Sequence, residues 1–317
     1  MTTRGWALFG MMGVLWGIPY LMIKVAVDGF SPAGVVFVRC AIGAALLLPF
    51  ALRGGGFFRT VRAHWVPMLA FAAIEIIGPW WTLTDAERKL SSSMAGLLIA
   101  AVPIFGAFIA RWFGDTEKLG LRRGAGLALG LGGVAVLTVP HLSGGDAWSI
   151  TEVLLTALGY ATAPLIAARH MKDVPTLRLI TPCLMLAAIV YAPAAVASWP
   201  SAMPSGQVIA SLAGLGVVCT AVAFVAFLEL IREVGPVRAS VITYVNPAIA
   251  VAAGVALLGE ELTVSVGGAF VLILGGSVLA TLKGRGEAKK EEKEEKEKEA
   301  AEPVVDGDGV PASAGLV

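Results

Sequence analysis

The sequence predicts an all-α, polytopic membrane protein with ten transmembrane helices, built as two inverted five-helix repeats with both termini in the cytoplasm. Its residues are 57% hydrophobic and 15% charged, and its mean hydropathy is +0.80, which excludes an ordinary soluble domain. Apolar runs of about 20 residues, long enough to cross a bilayer as helices, recur along the chain. One pair of these runs occurs twice in the sequence in similar form, which indicates an internal repeat.

The repeated segment is a pair of apolar runs joined by a short turn, found at 88–139 and again at 238–282. The proline in the first copy and its counterpart in the second are 144 residues apart, close to half of the chain. We therefore predict one repeat at 1–143, a second at 144–283, and a charged, disordered cytoplasmic tail at 284–317. The alignment matches Ala95 with Ala239, Pro103 with Pro247, Glu117 with Glu260, and Gly132-Gly133 with Gly275-Gly276.

The apolar runs place ten spans. Pro and Gly within a run are tolerated in membrane helices and do not mark its end. The first run lacks a signal-peptide cleavage pattern, so we interpret it as a retained span. The predicted spans are 6–27, 33–52, 65–83, 92–113, 121–140, 150–169, 177–198, 207–231, 238–258 and 264–282.

The basic residues predict the orientation, because cytoplasmic loops carry an excess of Lys and Arg. Arg88 and Lys89 lie in the opposite loops, and Lys24 and Arg39 lie within spans. With both termini cytoplasmic and an odd number of spans per repeat, the second repeat must enter the membrane from the other side. The other basic residues before the tail all lie at the span ends that we assign to the cytoplasm: Arg4, Arg53, Arg59, Arg62, Arg111, Lys118, Arg122, Arg123, Arg169, Lys172, Arg178, Arg232 and Arg238.

Several of these features together resemble one transporter family. They are W-G-x-x-Y at 16–20, the mid-helix prolines, the G-E-x-L turn at 259–262, and the double-glycine helix after each turn. Over about residues 5–283 the chain resembles the EamA-type branch of the drug/metabolite transporter (DMT) superfamily. The resemblance implies ten-helix carriers with a central cavity, many of them exporters of amino acids, metabolites or drugs. It places the protein in the plasma or inner membrane of the cell.

Span 1 carries a polar and aromatic stripe. Trp16, Tyr20 and Lys24 recur every four residues and therefore share one helix face. Such a stripe suits a pocket wall that stacks on an organic solute and offers a charge to it. The alternative is that both rings are packing residues and that Lys24 extends to the outer headgroups.

Span 3 carries a carboxylate near its middle, Glu75, where an ionisable group costs at least about 2.5–3.5 kcal/mol. We expect it to hold and release a proton or to bind a cationic amine, on one face with Pro79 and Thr82. The alternative is a structural ion pair with Arg39 of span 2. Arg39 is itself expected to bind a carboxylate, to neutralise Glu75, or to extend toward Asp28. Trp80 and Trp81 follow toward the outer end.

Spans 4 and 9 carry the repeat-related prolines Pro103 and Pro247. A proline within a helix frees the carbonyl four residues before it, and carriers build binding sites from such breaks. In span 9 this is the carbonyl of Thr243, beside Tyr244 and Asn246, although a kink that only shapes packing remains the alternative. Span 6 offers Tyr160 and Thr162 as further polar groups.

The sequence lacks a phosphate-binding G-x-x-x-x-G-K-[ST] loop, paired metal-ligand spacing, and a Ser/His/Asp set at one depth. We therefore predict no catalytic residue, metal, cofactor or nucleic-acid partner; coupling to protons is what the family resemblance implies. The expected partners are a small-molecule substrate and the lipid bilayer. The resemblance implies a secondary active exporter that works by alternating access. A passive facilitator and a membrane enzyme acting on a lipid-linked substrate remain alternatives.

Glycines at helical spacing predict close helix packing in spans 1, 5 and 10. Spans 5 and 10 carry few polar side chains, so we assign them to the scaffold or to a homodimer interface. The three cysteines lie in apolar runs and predict no disulfide framework. The glycines concerned are Gly10, Gly13 and Gly17, then Gly126, Gly130 and Gly133, then Gly268, Gly275 and Gly276.

Overall fold

The structure is a computed structural model that describes residues 2–112, 121–142, 146–234, 242 and 245–281. Every regular element in this part of the chain is helical, and the helices belong to one compact unit, Met1–Ala280. The elements in the first half are α1 (Thr3–Gly17), α2 (Pro19–Ala26), α3 (Pro32–Leu52), α4 (Phe57–Ala63), α5 (Trp65–Phe71), the π-helical segment π1 (Ala72–Ile77), α6 (Gly78–Ala86), α7 (Ser92–Ile99), α8 (Val102–Trp112) and α9 (Leu121–Leu142).

The described elements of the second half are also helical. Its elements are α10 (Ala147–His170), α11 (Thr176–Ala197), α12 (Gly206–Gly216), the π-helical segment π2 (Val217–Val222), α13 (Ala223–Val234), α14 (Asn246–Leu258) and α15 (Val264–Thr281).

In the described part of the chain, seven continuous helical stretches are long and apolar enough to cross a membrane, which agrees with a polytopic helical membrane protein. Three further apolar helices, Gly124–Val139, Asn246–Leu258 and Val264–Leu279, are shorter. They lie in predicted spans 5, 9 and 10, so the ten-span topology stays a prediction. The seven long stretches are Thr3–Ala26, Pro32–Leu52, Trp65–Ala86, Ser92–Ile109, Ala147–His170, Thr176–Ala197 and Gly206–Val234.

Serine hydroxyls begin several of these helices. Ser31, Ser91 and Ser205 each accept a hydrogen bond from the backbone N–H three residues later, at the starts of α3, α7 and α12. Each bond satisfies one of the N–H groups that a helix start leaves without a partner. The short loops before these helices therefore fix where each membrane helix begins.

Prolines interrupt the membrane helices. The first span is divided at Ile18, since Pro19 lacks the N–H that a continuous helix requires. The fourth is divided at Ala100–Ala101, and Pro103 lies in the first turn of α8. The hydroxyl of Ser277 on α15 donates to the Ala100 carbonyl at 3.0 Å, so a side chain of another helix satisfies a backbone group at this break.

Glycines permit two close helix crossings. A Cβ placed on Gly17 would lie 2.4 Å from Ile249 of α14, and one on Gly276 would lie 2.4 Å from the backbone nitrogen of Gly130 on α9. Predicted spans 5 and 10 therefore use glycines to pack on each other within the chain. The prediction was wrong for Gly10, Gly268 and Gly275, because nothing lies within 4 Å of their Cβ positions.

Candidate functional site

Each half of the chain has a π-helical segment in its third span, and the two segments lie at equivalent points of these spans. π1 occupies the third span and π2 the eighth, and the fourth residue of each is polar: Glu75 in π1 and Thr220 in π2. These two residues are 145 residues apart, within one residue of the spacing between the repeated prolines. Because π-helical turns occur frequently at functional sites, the pair marks the middle of the molecule as the candidate site.

Arg39 connects the two halves at this level. Its side chain is buried, its Nε donates to Thr220 Oγ1 at 3.0 Å, and its Cζ lies 3.7 Å from the centroid of the Trp80 ring. The Thr220 hydroxyl donates in turn to the Leu215 carbonyl at 2.8 Å, which leaves its oxygen free to accept from Arg39. A guanidinium fixed on one face by an aromatic ring and on one edge by a hydroxyl is held in a single orientation.

Glu75 has no such partner. Its Oε2 is buried and makes no hydrogen bond with the described residues. The predicted ion pair with Arg39 is not formed, and Arg39 does not reach Asp28 either, because its partners are Thr220 and Trp80. The Glu75 carboxyl group and the Arg39 guanidinium therefore do not pair with each other in the described part of the chain.

Tyr160 of α10 completes the cluster. Its side chain interacts electrostatically with Glu75, Tyr20 and Arg39. Tyr20 itself is 7% exposed and packs against the backbone of α7 at Gly96. We call Tyr20, Arg39, Glu75, Trp80, Tyr160 and Thr220 the central cluster.

The expectation that Glu75, Pro79 and Thr82 share one face was wrong. It treated span 3 as a regular α-helix, whereas the wider π1 turn changes the register between Glu75 and α6. Pro79 and Thr82 instead line a mostly apolar groove of about 410 Å³ between spans 3 and 6. The other lining residues are Ile74, Gly78, Leu155, Leu158, Gly159 and Thr162.

The groove also accounts for Thr162. This residue lines the groove, and its hydroxyl donates to the Leu158 carbonyl of its own helix at 2.7 Å. Thr82 and Thr156 form a hydrogen bond of 2.7 Å between spans 3 and 6. The polar groups of this groove therefore satisfy one another and the backbone.

The residues of the span 1 stripe have separate partners. Trp16 packs against Phe224 and Phe227 of α13, with ring centroids 6.2 and 4.7 Å away. Lys24 Nζ donates to the backbone carbonyls of Glu87 at 2.7 Å and Leu90 at 2.9 Å. Only Tyr20 of the three belongs to the central cluster.

The remaining predicted residues divide into two groups. Trp81 packs partly buried beside the apolar core that contains Trp80. Asn246 is the first residue of α14, and its Oδ1 is buried without a hydrogen-bond partner among the described residues. Thr243 and Tyr244 lie outside the described residues, as do the turn at 113–120 and the tail at 284–317.

Two features at one end of the bundle escaped the sequence analysis. Glu260, in the turn after α14, binds the first turn of α7, and Glu87 is completely buried with both carboxylate oxygens unpartnered among the described residues. Both glutamates follow the end of an apolar run, which is where solvated loop residues are also found. The sequence signal for Glu260 was its place in the G-E-x-L turn, and we found none for Glu87.

The opposite end of the bundle holds an exposed ion cluster. Arg4 of α1 pairs with Glu229 at 3.1 Å and Glu233 at 3.7 Å, and Arg232 pairs with Glu229 at 2.6 Å. Exposed pairs of this kind contribute at most about 1 kcal/mol each, so the cluster orients α1 on α13 more than it stabilises the fold.

A polytopic helical bundle with unpaired charges and aromatic rings buried at its centre is the architecture of a membrane carrier. Comparison with known proteins identifies the family. The EamA-like transporter family matches the chain at residues 4–139 and again at 147–282. The chain belongs to this family, as the sequence motifs predicted, and it is a multi-pass membrane transporter of the cell membrane.

Individual relatives agree with this assignment. The chain is 28% identical over 263 residues to the uncharacterized inner membrane transporter YedA of Escherichia coli (strain K12), covering 81% of this chain and 83% of that one. It is 26% identical over 265 residues to a probable terminal-alkyne amino-acid exporter of Streptantibioticus cattleyicolor, covering 80% and 85%. These relatives are named as transporters and not as enzymes.

A solved structure supports the fold. A crystal structure of a protein 20% identical in sequence superimposes with a TM-score of 0.65, covering 90% of this chain and 99% of the other. At this identity the likeness concerns the fold alone.

Proposed function

We propose that the protein is a secondary active exporter that moves small zwitterionic solutes, amino acids in particular, by alternating access around the central cluster. The observation that supports this most directly is the unpaired state of Glu75 and Arg39. Buried opposite charges that do not pair leave each group available to a ligand, and the ligand must supply the missing counter-charges.

An amino acid has the complementary chemistry. Its carboxylate would bind the guanidinium of Arg39, which has used only Nε on the described residues, and its ammonium group would bind the carboxylate of Glu75. The rings of Tyr20, Trp80 and Tyr160 would contact its side chain. The relative named as an amino-acid exporter is consistent with this substrate class.

Coupling to protons would follow from the same carboxylate. When no ammonium group occupies the site, a proton is the simplest charge that Glu75 can bind in a membrane interior. Substrate and proton would then compete for one group, which is the arrangement that an exchange of substrate for proton requires.

The two-fold construction supports an alternating-access topology of ten helices with inverted repeats. The π-helical segments and the repeated prolines recur at a common spacing in both halves. Inverted repeats allow one arrangement of helices to open alternately to each side of the membrane around a fixed site. In this topology both termini are cytoplasmic.

Transport by purified protein in liposomes tests the proposal. A pooled set of amino acids, amines and dyes is offered with and without an imposed pH gradient, to wild type, Glu75→Gln and the control Glu261→Gln, an exposed acid outside the cluster. We expect gradient-driven accumulation of amino acids in wild type and the control, and its loss in Glu75→Gln.

Each alternative has its own result. Flux that equilibrates without accumulation, and that is unchanged in Glu75→Gln, would indicate a passive facilitator. Absence of flux for every solute in folded protein would contradict the carrier proposal and favour an enzyme acting on a lipid-linked substrate. Accumulation of cationic dyes but not amino acids would contradict the zwitterion assignment.

A further inference from the structure

The turn after α14 is bound to the start of α7. Glu260 Oε1 accepts hydrogen bonds from the backbone nitrogen of Ser92 at 2.7 Å and from its hydroxyl at 2.9 Å. Glu260 Oε2 accepts from the backbone nitrogen of Ser93 at 3.0 Å and from its hydroxyl. A single carboxylate therefore joins the second half of the chain to a helix start in the first half, where the helix dipole also favours a negative charge.

The contact leaves no room for a side chain beneath it. A Cβ on Gly254 of α14 would lie 2.3 Å from Glu260 Oε2, 2.6 Å from the Ser93 hydroxyl and 2.8 Å from the Ser92 hydroxyl. The turn is also tied to α14 by the Glu260 nitrogen, which donates to the Gly254 carbonyl at 3.1 Å. The position of the carboxylate is thus determined by the end of α14.

A second carboxylate lies beside this contact. Glu87 is 0% exposed, and its carboxylate oxygens have no hydrogen-bond partner in the described part of the chain. The charged groups that act on it are Lys24 of α2, Glu260 of the turn and Arg39 of α3, and the titratable hydroxyl of Tyr20 on α2 also interacts with it. Lys24 donates to the backbone carbonyls of Glu87 and Leu90, so it holds the loop before α7 in place without a hydrogen bond to the Glu87 carboxylate.

The pKa values of the two carboxylates are shifted in opposite directions. Burial raises the pKa of Glu87 well above its ordinary value of 4.5, with the negative charge of Glu260 adding to the effect and Lys24 opposing it. Burial alone would also raise the pKa of Glu260, but the hydrogen bonds from Ser93 and Ser92 hold it below 4.5. Between the two pKa values, Glu260 is charged and Glu87 is neutral.

We propose that Glu260 and the first turn of α7 form a latch that closes one face of the transporter, and that Glu87 is the proton-binding residue that controls it. With Glu87 neutral, the latch carries one negative charge on a helix start and is stable. When Glu87 ionises, a second negative charge appears in a buried position beside the first, and the latch opens. When acid protonates Glu260, the latch loses its charged acceptor and also opens.

The latch would lie on the outer face, because the positive-inside pattern assigns the loop at 87–91 and the turn at 259–263 to that side. In this respect the proposal rests on the proposed carrier topology. An acidic exterior would then protonate Glu87 and close the outer face, which is the step that returns an empty exporter toward the inside. The latch itself can be measured without any substrate.

Two spin labels report the state of the latch. In protein lacking Cys40, Cys183 and Cys219, nitroxides are attached to Lys89→Cys and Leu262→Cys, both exposed and on opposite sides of the contact. Dipolar broadening is recorded in liposomes across a pH series, equal on both sides. Wild type should show strong broadening in an intermediate pH window and weaker broadening above and below it. Glu260→Gln should show weak broadening throughout.

The variants separate the two glutamates. Glu87→Gln should keep strong broadening on the alkaline side while still losing it in acid, and Glu261→Gln should match wild type. An alkaline loss that persists unchanged in Glu87→Gln would refute Glu87 as the sensor, and strong broadening in Glu260→Gln would refute the latch. If cysteine removal unfolds the protein, hydrogen exchange of the Ser92 and Ser93 amides in the native-cysteine protein gives the same decision. A working latch with no transport would refute the carrier proposal alone.

Discussion

Replacing Gly17 by alanine tests the close contact between α1 and α14. The new Cβ would lie 2.4 Å from the Cβ and 2.5 Å from the Cγ2 of Ile249, against an ordinary contact of 3.4–4 Å. Relief requires a movement of about 1 Å, yet Ile249 is β-branched and stiff, and the new Cβ would also lie 3.2 Å from the backbone carbonyl oxygen of Asn246. Overpacking of this kind costs about 1–3 kcal/mol.

The matched control is Gly10→Ala on the same helix. Its Cβ meets nothing within 4 Å, and alanine within a helix is favoured over glycine by roughly 0.5–1 kcal/mol. Thermal unfolding in one detergent should therefore give a lower melting temperature for Gly17→Ala, by roughly 2–4 °C for each kcal/mol lost, and an equal or higher one for Gly10→Ala. Equal melting temperatures for Gly17→Ala and the control would show that α1 does not approach α14 as described.

Three further outcomes are expected. Thr220→Val removes the acceptor of the hydrogen bond from Arg39 Nε, and a hydrogen bond to a charged group contributes about 1.5–3 kcal/mol. The transport KM for amino acids should therefore rise at least tenfold while the protein stays folded. An unchanged KM would contradict the role of Thr220 in holding Arg39 in place. Gly254→Ala should displace Glu260 and speed hydrogen exchange at the start of α7, and unchanged exchange would contradict the packing there. Because the pKa of Glu260 is lowered by its hydrogen bonds, the stability that it provides is full above its ordinary value of 4.5 and is lost as the pH falls through the lower value; Glu260→Gln should therefore flatten the acid limb of the stability profile, and an unchanged acid limb would contradict this linkage.

The membrane character and the family were readable from the sequence because both depend on long-range composition and on repetition. Apolar runs, duplicated prolines and the turn motif persist whatever the local geometry of each helix. Five of the six residues of the central cluster were predicted from the sequence, Tyr20, Arg39, Glu75, Trp80 and Tyr160, and the structure brings them together.

The sequence did not predict which side of span 3 Glu75 faces. That direction depends on π-helical hydrogen bonds, which the regular α-helical period of 3.6 residues does not describe. In π1 the N–H of Gly78 bonds to the carbonyl of Ala73, five residues before it, and Pro79 lacks the N–H that would restore the normal ladder. Pro79 was visible in the sequence as a kink. The sequence did not show that the helix would widen before the proline and turn Glu75 away from Thr82.

Two glutamates with buried carboxylate oxygens, Glu75 and Glu87, show a second limit. A carboxylate in the middle of an apolar run attracts attention because lipid excludes charge, which is why Glu75 was predicted. Glu87 follows its span within a loop of polar residues, and its burial arises from the packing of α2 and the turn after α14 over that loop. Burial of this origin is a tertiary property with no local pattern.

The two halves share a backbone feature at this site but differ in the charge that it carries. Both halves have the π-helical segment in the corresponding span, but the first half carries an acid at its centre and the second a threonine. The backbone frame is thus shared, whereas the charge is not. A zwitterion bound between Glu75 and the Arg39–Thr220 pair would keep one orientation whichever side of the membrane the frame opened to. A symmetric pair of acids would repel each other and attract a dication instead, so under the proposed function the asymmetry at these two positions would suit the site to a single amino acid.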